Sequence, residues 1–269
     1  MHLALALLVS WIASAPGAAP PPPARPADRA ESRALPRSGG APAPRVIVER
    51  VLDAYGGRAR LARVRAYRIE GTLTAVRRGR LTVPTSRQVE RPNRLRIEIA
   101  YPEGPEIRIL NGARGWRSDG EGGLEEVTGP FLESMQLQAL RADVPWVFAE
   151  ALDRVRATEP ITHEGRRLLG LEFPVSSILT FRAYVNPATW RVEVSQGLLA
   201  HGGMQTHFET VYEDFRSVDG VLFAHRERNY ASGAHTGWTK VERVVLNPEL
   251  PPGTFAPPPP RGRVPGREG

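Results

Sequence analysis

The chain has 269 residues, a formal net charge of +7 and no cysteine. Without thiols there are no disulfides, thiolate metal sites, cysteine nucleophiles or lipid-modified N-terminal cysteine, so the core must hold by packing alone. Lys240 is the only lysine among 36 basic residues, and the arginines are spread along the chain with no aromatic-studded basic stripe, which argues against nucleic acid as a partner.

The N-terminus, MHLALALLVSWIASAPGAAPPPPARPA, is apolar from Leu3 to Ala15 and then turns to small residues and proline. That run is too short to span a bilayer but suits the apolar region of a secretory signal peptide covering residues 1–19. Export implies a periplasmic location, with an extracellular one as the alternative. Residues 20–44 are rich in Pro, Ala and Arg and have almost nothing to bury, so they read as an extended tether; residues 257–269 share that character. One domain is expected over residues 45–256, a length able to bury about 70% of its unfolded surface in a single core.

Within it, RVIVERVLDAYGG places Val46, Val48, Val51, Leu52 and Tyr55 largely on one helical face, with Gly56 and Gly57 as the C-terminal stop. The period then changes to two. Tyr67, Ile69, Gly71, Leu73 and Ala75 alternate with Arg68, Glu70, Thr72 and Thr74, and Leu95, Ile97, Ile99 and Tyr101 alternate with Arg94, Arg96, Glu98 and Ala100. Such alternation marks antiparallel strands with one buried face and one wet face. Further strands are expected at 106–110, 115–118, 167–173, 178–186, 190–197, 204–215, 221–230 and 235–246, divided by turn signals at Arg77–Gly79, Asn186–Thr189, Val218–Gly220 and Ala231–Ala234. Between 130 and 155 the spacing returns to three and four: Phe131, Leu132, Met135, Ala139 and Leu140, then Val144, Val147, Phe148 and Leu152. Pro145 stands where a second helix would begin, so two short helices hinged near Asp143 are expected.

No chemistry emerges from the polar residues. The glycine-rich stretch ILNGARGWRSDGEGG lacks the lysine of a P-loop and the following helix of a dinucleotide fingerprint, and Asn111-Gly112 is itself a hairpin signal, so it reads as two successive turns. His163, His201, His207, His225 and His235 form no tight ligand pair, and Ser134, Ser176, Ser177, Ser195 and Ser232 lack a nucleophile elbow. The pairs Glu125-Glu126 and Glu213-Asp214 look solvated. Neither catalytic residues nor a metal or other cofactor is therefore expected.

What remains is apolar shape. A sheet of nine or more strands coils and acquires a concave side. Phe131, Leu132, Met135, Leu140, Trp146 and Phe148 are the candidates to line or close a cleft there, joined by Trp116 if its ring turns inward instead of only pinning a hairpin. The same residues would equally serve as a filled core.

The order of elements adds to this reading. The blocks VLDAYGGRARLARVRAYRIEGTLT, YPEGPEIRILNGARGWRSDGEGGLEEVTGP and YEDFRSVDGVLFAHRERNY, closing with LNPELPPGTFAPP, resemble bacterial outer-membrane lipoprotein-sorting proteins of the LolA/LolB-like superfamily over most of Val46–Pro258. The resemblance implies a mainly β (α+β) fold, a curved antiparallel half-barrel sheet with short helices packed on or plugging the concave side. It also implies a non-catalytic, monomeric periplasmic carrier of lipids or lipoprotein acyl chains, with envelope membrane proteins as further partners. The alternatives are an interaction or envelope-stress sensor module of the same fold and, third, an envelope hydrolase.

Overall fold

Two β-meanders meet along one seam. The computed structural model describes residues 42–257, so the signal peptide expected at 1–19, most of the tether expected at 20–44 and most of the tail expected at 257–269 lie outside the described residues. The first meander contains β1 (Ala66–Ala75), β2 (Leu81–Glu90), β3 (Arg94–Tyr101), β4 (Gly104–Asn111), β5 (Arg114–Ser118) and β6 (Leu124–Val127). The second contains β7 (Arg156–His163), β8 (Arg166–Pro174), β9 (Leu179–Val185), β10 (Val192–His201), β11 (Met204–Val218), β12 (Val221–Ala231) and β13 (Ala234–Leu246). Because β1 pairs antiparallel with β13, all of them form one 13-stranded sheet in the order β6-β5-β4-β3-β2-β1-β13-β12-β11-β10-β9-β8-β7.

The period-two faces fall as expected: Tyr67, Ile69, Leu95, Ile97 and Ile99 are buried in the main core. Three strands exceed the expectation, each for a physical reason. β2 carries Pro84, which donates nothing to a ladder, and the polar Thr85 and Arg87 on its inner face. β6 and β7 are the sheet edges, kept short in one case and interrupted by Pro160 in the other, as exposed edges usually are. The glycine-rich stretch is indeed two hairpins. Gly112 takes φ +62° between β4 and β5, and Asp119 Oδ1 accepts the Glu121 and Gly123 amides at 2.8 and 2.9 Å in the next turn.

The helices are α1 (Pro44–Ala54), α2 (Arg58–Leu61), α3 (Pro130–Ala142) and α4 (Trp146–Glu150), with the α3–α4 break at the expected place. α1 buries Ile47, Val48, Val51 and Leu52; Val46, expected on that face, is 48% exposed. Val46 is two positions from Val48, about 200° round the helix, so it faces away from the stripe of Val48, Val51, Leu52 and Tyr55, which is buried as expected.

The segment holding α3 and α4 has to join the two edges, since β6 ends the sheet on one side and β7 on the other. α3 touches β4 and β5 as well as β10. In a flat sheet β4 and β10 would lie about 34 Å apart, seven strand spacings of about 4.8 Å. A helix is only about 10–12 Å wide with its side chains, so contact with both walls requires the sheet to curl round it. The result is a mainly β half-barrel with helices on its concave side.

Beyond β13 the chain crosses the outer face. Asn247 Oδ1 accepts the Arg65 amide at 2.8 Å and its Nδ2 donates to the Arg63 carbonyl at 3.0 Å. Phe255 then inserts beside Ile109 and Trp116 in a small apolar cluster separate from the main core. The seam between the meanders is tightest at Gly71, where a Cβ would sit 2.0 Å from the Lys240 carbonyl oxygen. Gly71→Ala is therefore expected to cost about 3 kcal/mol through forced strand separation. Gly112→Ala, strained only by its positive φ, should cost about 1 kcal/mol; urea denaturation of the two variants gives the comparison.

Candidate functional site

α3 is wedged between two walls of the half-barrel. A Cβ on Gly115 of β5 would lie 3.0 Å from Leu132 Cδ1 and 3.1 Å from Met135 Sδ, and a Cβ on Gly197 of β10 would lie 2.2 Å from Leu137 Cδ2. Met135 and Leu137 are two residues apart, about 200° round a helix, so they point in nearly opposite directions. Each reaches a notch that only glycine leaves open. Every residue from Phe131 to Ala142 is at least half-buried, with Met135 and Leu137 buried outright.

Polar contacts to α3 are few. Arg108 Nη1 donates to Gln138 Oε1 at 2.9 Å, and the Arg117 guanidinium lies 4.3 Å from the Phe131 ring centre. Tyr212 Oη donates to the Arg141 carbonyl at 3.3 Å and shares a 2.9 Å hydrogen bond with Ser195 Oγ. Beneath this end of the helix, Arg87 and Glu227 form a two-point ion pair at 2.8 and 2.5 Å across the concave face. The Glu133 carboxylate oxygen Oε2 and the Arg141 Nε and Nη2 atoms are shielded from solvent and have no hydrogen-bond partner among the described residues. Burial lowers the Arg141 guanidinium to about 10.

The hinge and α4 are held far more firmly. Tyr67 Oη donates to the Ala142 carbonyl at 2.5 Å, and Arg91 Nε donates to both Asp143 oxygens at 3.0 and 3.2 Å. Arg91 also pairs with Glu150 and lies over the Trp146 ring. Trp146 stacks on Tyr67 with ring centres 5.7 Å apart, and its Nε1 donates to the Leu61 carbonyl at 2.9 Å. Phe148, fully buried, packs against Phe173 and Phe181. Burial pushes the Asp143 carboxyl up to about 7; the Arg91 charge opposes that shift and Glu150 adds to it.

The seven residues singled out in the sequence thus divide into three groups. Phe131, Leu132 and Leu140 are half-buried against the main core, and Met135 is buried on the same helix. Trp146 and Phe148 belong to the anchored α4. Trp116 stands apart: its neighbour Gly115 faces α3, so period two turns the indole to the outer face, where it meets Ile109 and Phe255. It pins a hairpin and the C-terminal strap, and is not part of the concave face.

Leu137, Arg141, Gly115 and Gly197 were not legible as site residues. Glycine inside a strand is a known sign of close approach by another element, but here both glycines read as turn residues or as ordinary strand positions. Among the described residues no three His, Asp or Glu side chains converge as a metal site. Ser195 is bonded to Tyr212 and His225 Nδ1 to the Val241 carbonyl.

No protein-family model matches the chain, and no curated protein does either. Among solved structures, a LolA superfamily protein from Nitrosomonas europaea is 14% identical, with a TM-score of 0.53 over 80% of this chain and 98% of that one. A DUF1329 family protein from Desulfovibrio piger is 9% identical, with a TM-score of 0.53 over 79% of this chain and 96% of that one. At these identities the likeness is one of fold, and the chain has a LolA-like fold.

Two outcomes check the division between hinge and helix. The Asp143 value is raised above its unfolded value of 3.8, so its stabilising contribution is complete below about pH 4 and is lost as the pH rises through about 7. Asp143→Asn should flatten the stability profile in that window, as measured by urea unfolding at a series of pH values. A wild type that instead gains stability there relative to the variant would mean that Arg91 holds the carboxylate ionised. In the apolar core, Phe148→Asp should unfold the domain, since an unpaired charge would be buried at a cost of several kcal/mol. Phe131→Asp, half-buried beside Arg117, should leave it folded, and circular dichroism distinguishes the two.

Proposed function

We propose that this protein is an exported, non-catalytic carrier that shelters the acyl chains of a lipid or lipoprotein between its concave sheet and α3, as a monomer in the periplasm. The observation that carries this reading is the seating of α3. An apolar helix lies in glycine notches on two walls yet keeps Glu133 Oε2 and the Arg141 Nε and Nη2 atoms buried without partners. Each such atom costs about 1–3 kcal/mol. Swinging α3 about Asp143 returns Glu133 Oε2 to water, opens the Arg141 edge near the hinge to a ligand and bares the bed beneath Leu132, Met135 and Leu137. An acyl chain laid in that bed contributes about 0.8 kcal/mol per methylene, so about a dozen methylenes outweigh the helix contacts they replace.

On this reading α3 moves and α4 does not, because Trp146, Tyr67 and Arg91 fix the hinge. Phe131, Leu132, Met135 and Leu140 would meet the ligand, while Trp146 and Phe148 hold the frame. The LolA-like fold supports a binding role over an enzymatic one, and the apolar N-terminal run supports export.

A second reading, a protein-interaction or sensor module with a closed core, is favoured by the filled concave face. Surface depressions of about 440 Å³ beside Met204 and about 530 Å³ beside Tyr230 lie away from α3. The two readings part on one variant. Gly197→Ala crowds Leu137 and should lower the urea midpoint in either case. If α3 is a plug, it should also strengthen binding of a fluorescent fatty acid several-fold. Absence of binding by both proteins, together with no lipid in extracts of the periplasmic protein analysed by native mass spectrometry, would sink the carrier reading.

A further inference from the structure

The concave face is less apolar than an acyl chain alone would require. Its centre carries Arg87, Glu227, Thr239, Tyr212 and Ser195, and above them the side chain of Arg141. Glu227 is committed to Arg87, which takes both of its oxygens, so that pair is neutral. Tyr212 shares its hydroxyl with Ser195 and the Arg141 backbone. No acceptor remains for the Arg141 side chain, and no ion pair reaches it among the described residues. The interior therefore holds two charged groups of α3 with unpartnered atoms, Glu133 through Oε2 and, two turns further on, Arg141 through its guanidinium.

The two unpartnered atoms are Nε and Nη2, which form one edge of the guanidinium. That edge presents two parallel N–H groups and matches the two oxygens of a carboxylate. Arg141 also lies two residues before the hinge at Asp143, and its carbonyl is tied to Tyr212, so a swing of α3 displaces it far less than Glu133 or Phe131. A group bound there would keep its partner in both positions of the helix.

We propose that the ligand is an amphiphile with a compact carboxylate head, bound two-point to Arg141 Nε and Nη2 near the hinge, with its chain running along the bed that α3 covers. This assignment rests on the carrier reading and names the chemistry of its cargo. It supplies the missing partner of a buried cation, and it explains why a face built for acyl chains keeps a charge at its centre.

Isothermal titration of the full chain with laurate, dodecanol and dodecyl phosphate tests it. Laurate is expected to bind about tenfold or more tighter than dodecanol, and Arg141→Met should erase that difference while leaving dodecanol affinity unchanged. The variant removes an unpaired buried charge, so its thermal midpoint should rise. Equal binding of laurate and dodecanol by the wild type, a preference that survives Arg141→Met, or a lowered midpoint would overturn the assignment of the head group. Tighter binding of dodecyl phosphate than laurate would overturn the carboxylate in favour of a phosphate. Failure of all three to bind would overturn the carrier reading itself, and this proposal with it.

Discussion

The chain leaves the sheet at one edge and must re-enter at the other. With β6 and β7 at opposite ends of the strand order, the 28 residues between Val127 and Arg156 have to cross a face of the sheet, and the apolar sequence of α3 and α4 selects the concave one. The other features depend on this crossing. It draws the two walls towards a single helix, it makes glycine necessary at Gly115 and Gly197, and it leaves α3 tethered at both ends and fastened at only one.

The interior combines two kinds of attachment with different tolerances. α4 is held by groups with fixed directions: the Trp146 N–H, the Tyr67 hydroxyl and the Arg91 fork all find acceptors. α3 is held mainly by shape, with Leu132, Met135 and Leu137 pressed into notches. Shape contacts are non-directional and can be replaced by any apolar surface of similar volume, whereas removing a buried hydrogen bond leaves an orphaned group. A ligand made of methylenes can therefore substitute for α3 but not for α4.

Much of the fold could be read from the sequence because antiparallel strands with one wet face keep period two. Tyr67–Ala75 and Leu95–Tyr101 show it without interruption, and the hinge announced itself through Pro145 and the shift to helical spacing. β2 was hidden because Arg87 faces inward, paired with a residue from the far meander, and no local pattern reveals a partner 140 residues away. Trp116 was ambiguous for a related reason. The face it takes depends on register with β4 and on Phe255, both of which are settled only in three dimensions. Arg141 was indistinguishable from the other arginines until its lack of a partner could be seen.

The seam between the meanders also bears on how the molecule is made. β1 is among the first strands of the chain and β13 the last, and Tyr67 pairs with Leu246 across nearly the whole length of the domain. Neighbouring hairpins can zip as soon as their residues are available, but the central ladder needs the final strand. Until then the first meander ends in an unpaired edge, β1, that is neither short nor charged along its inner face, the kind of edge that pairs readily with a second chain. A newly made molecule is therefore most exposed to aggregation in the interval before residues 234–246 arrive.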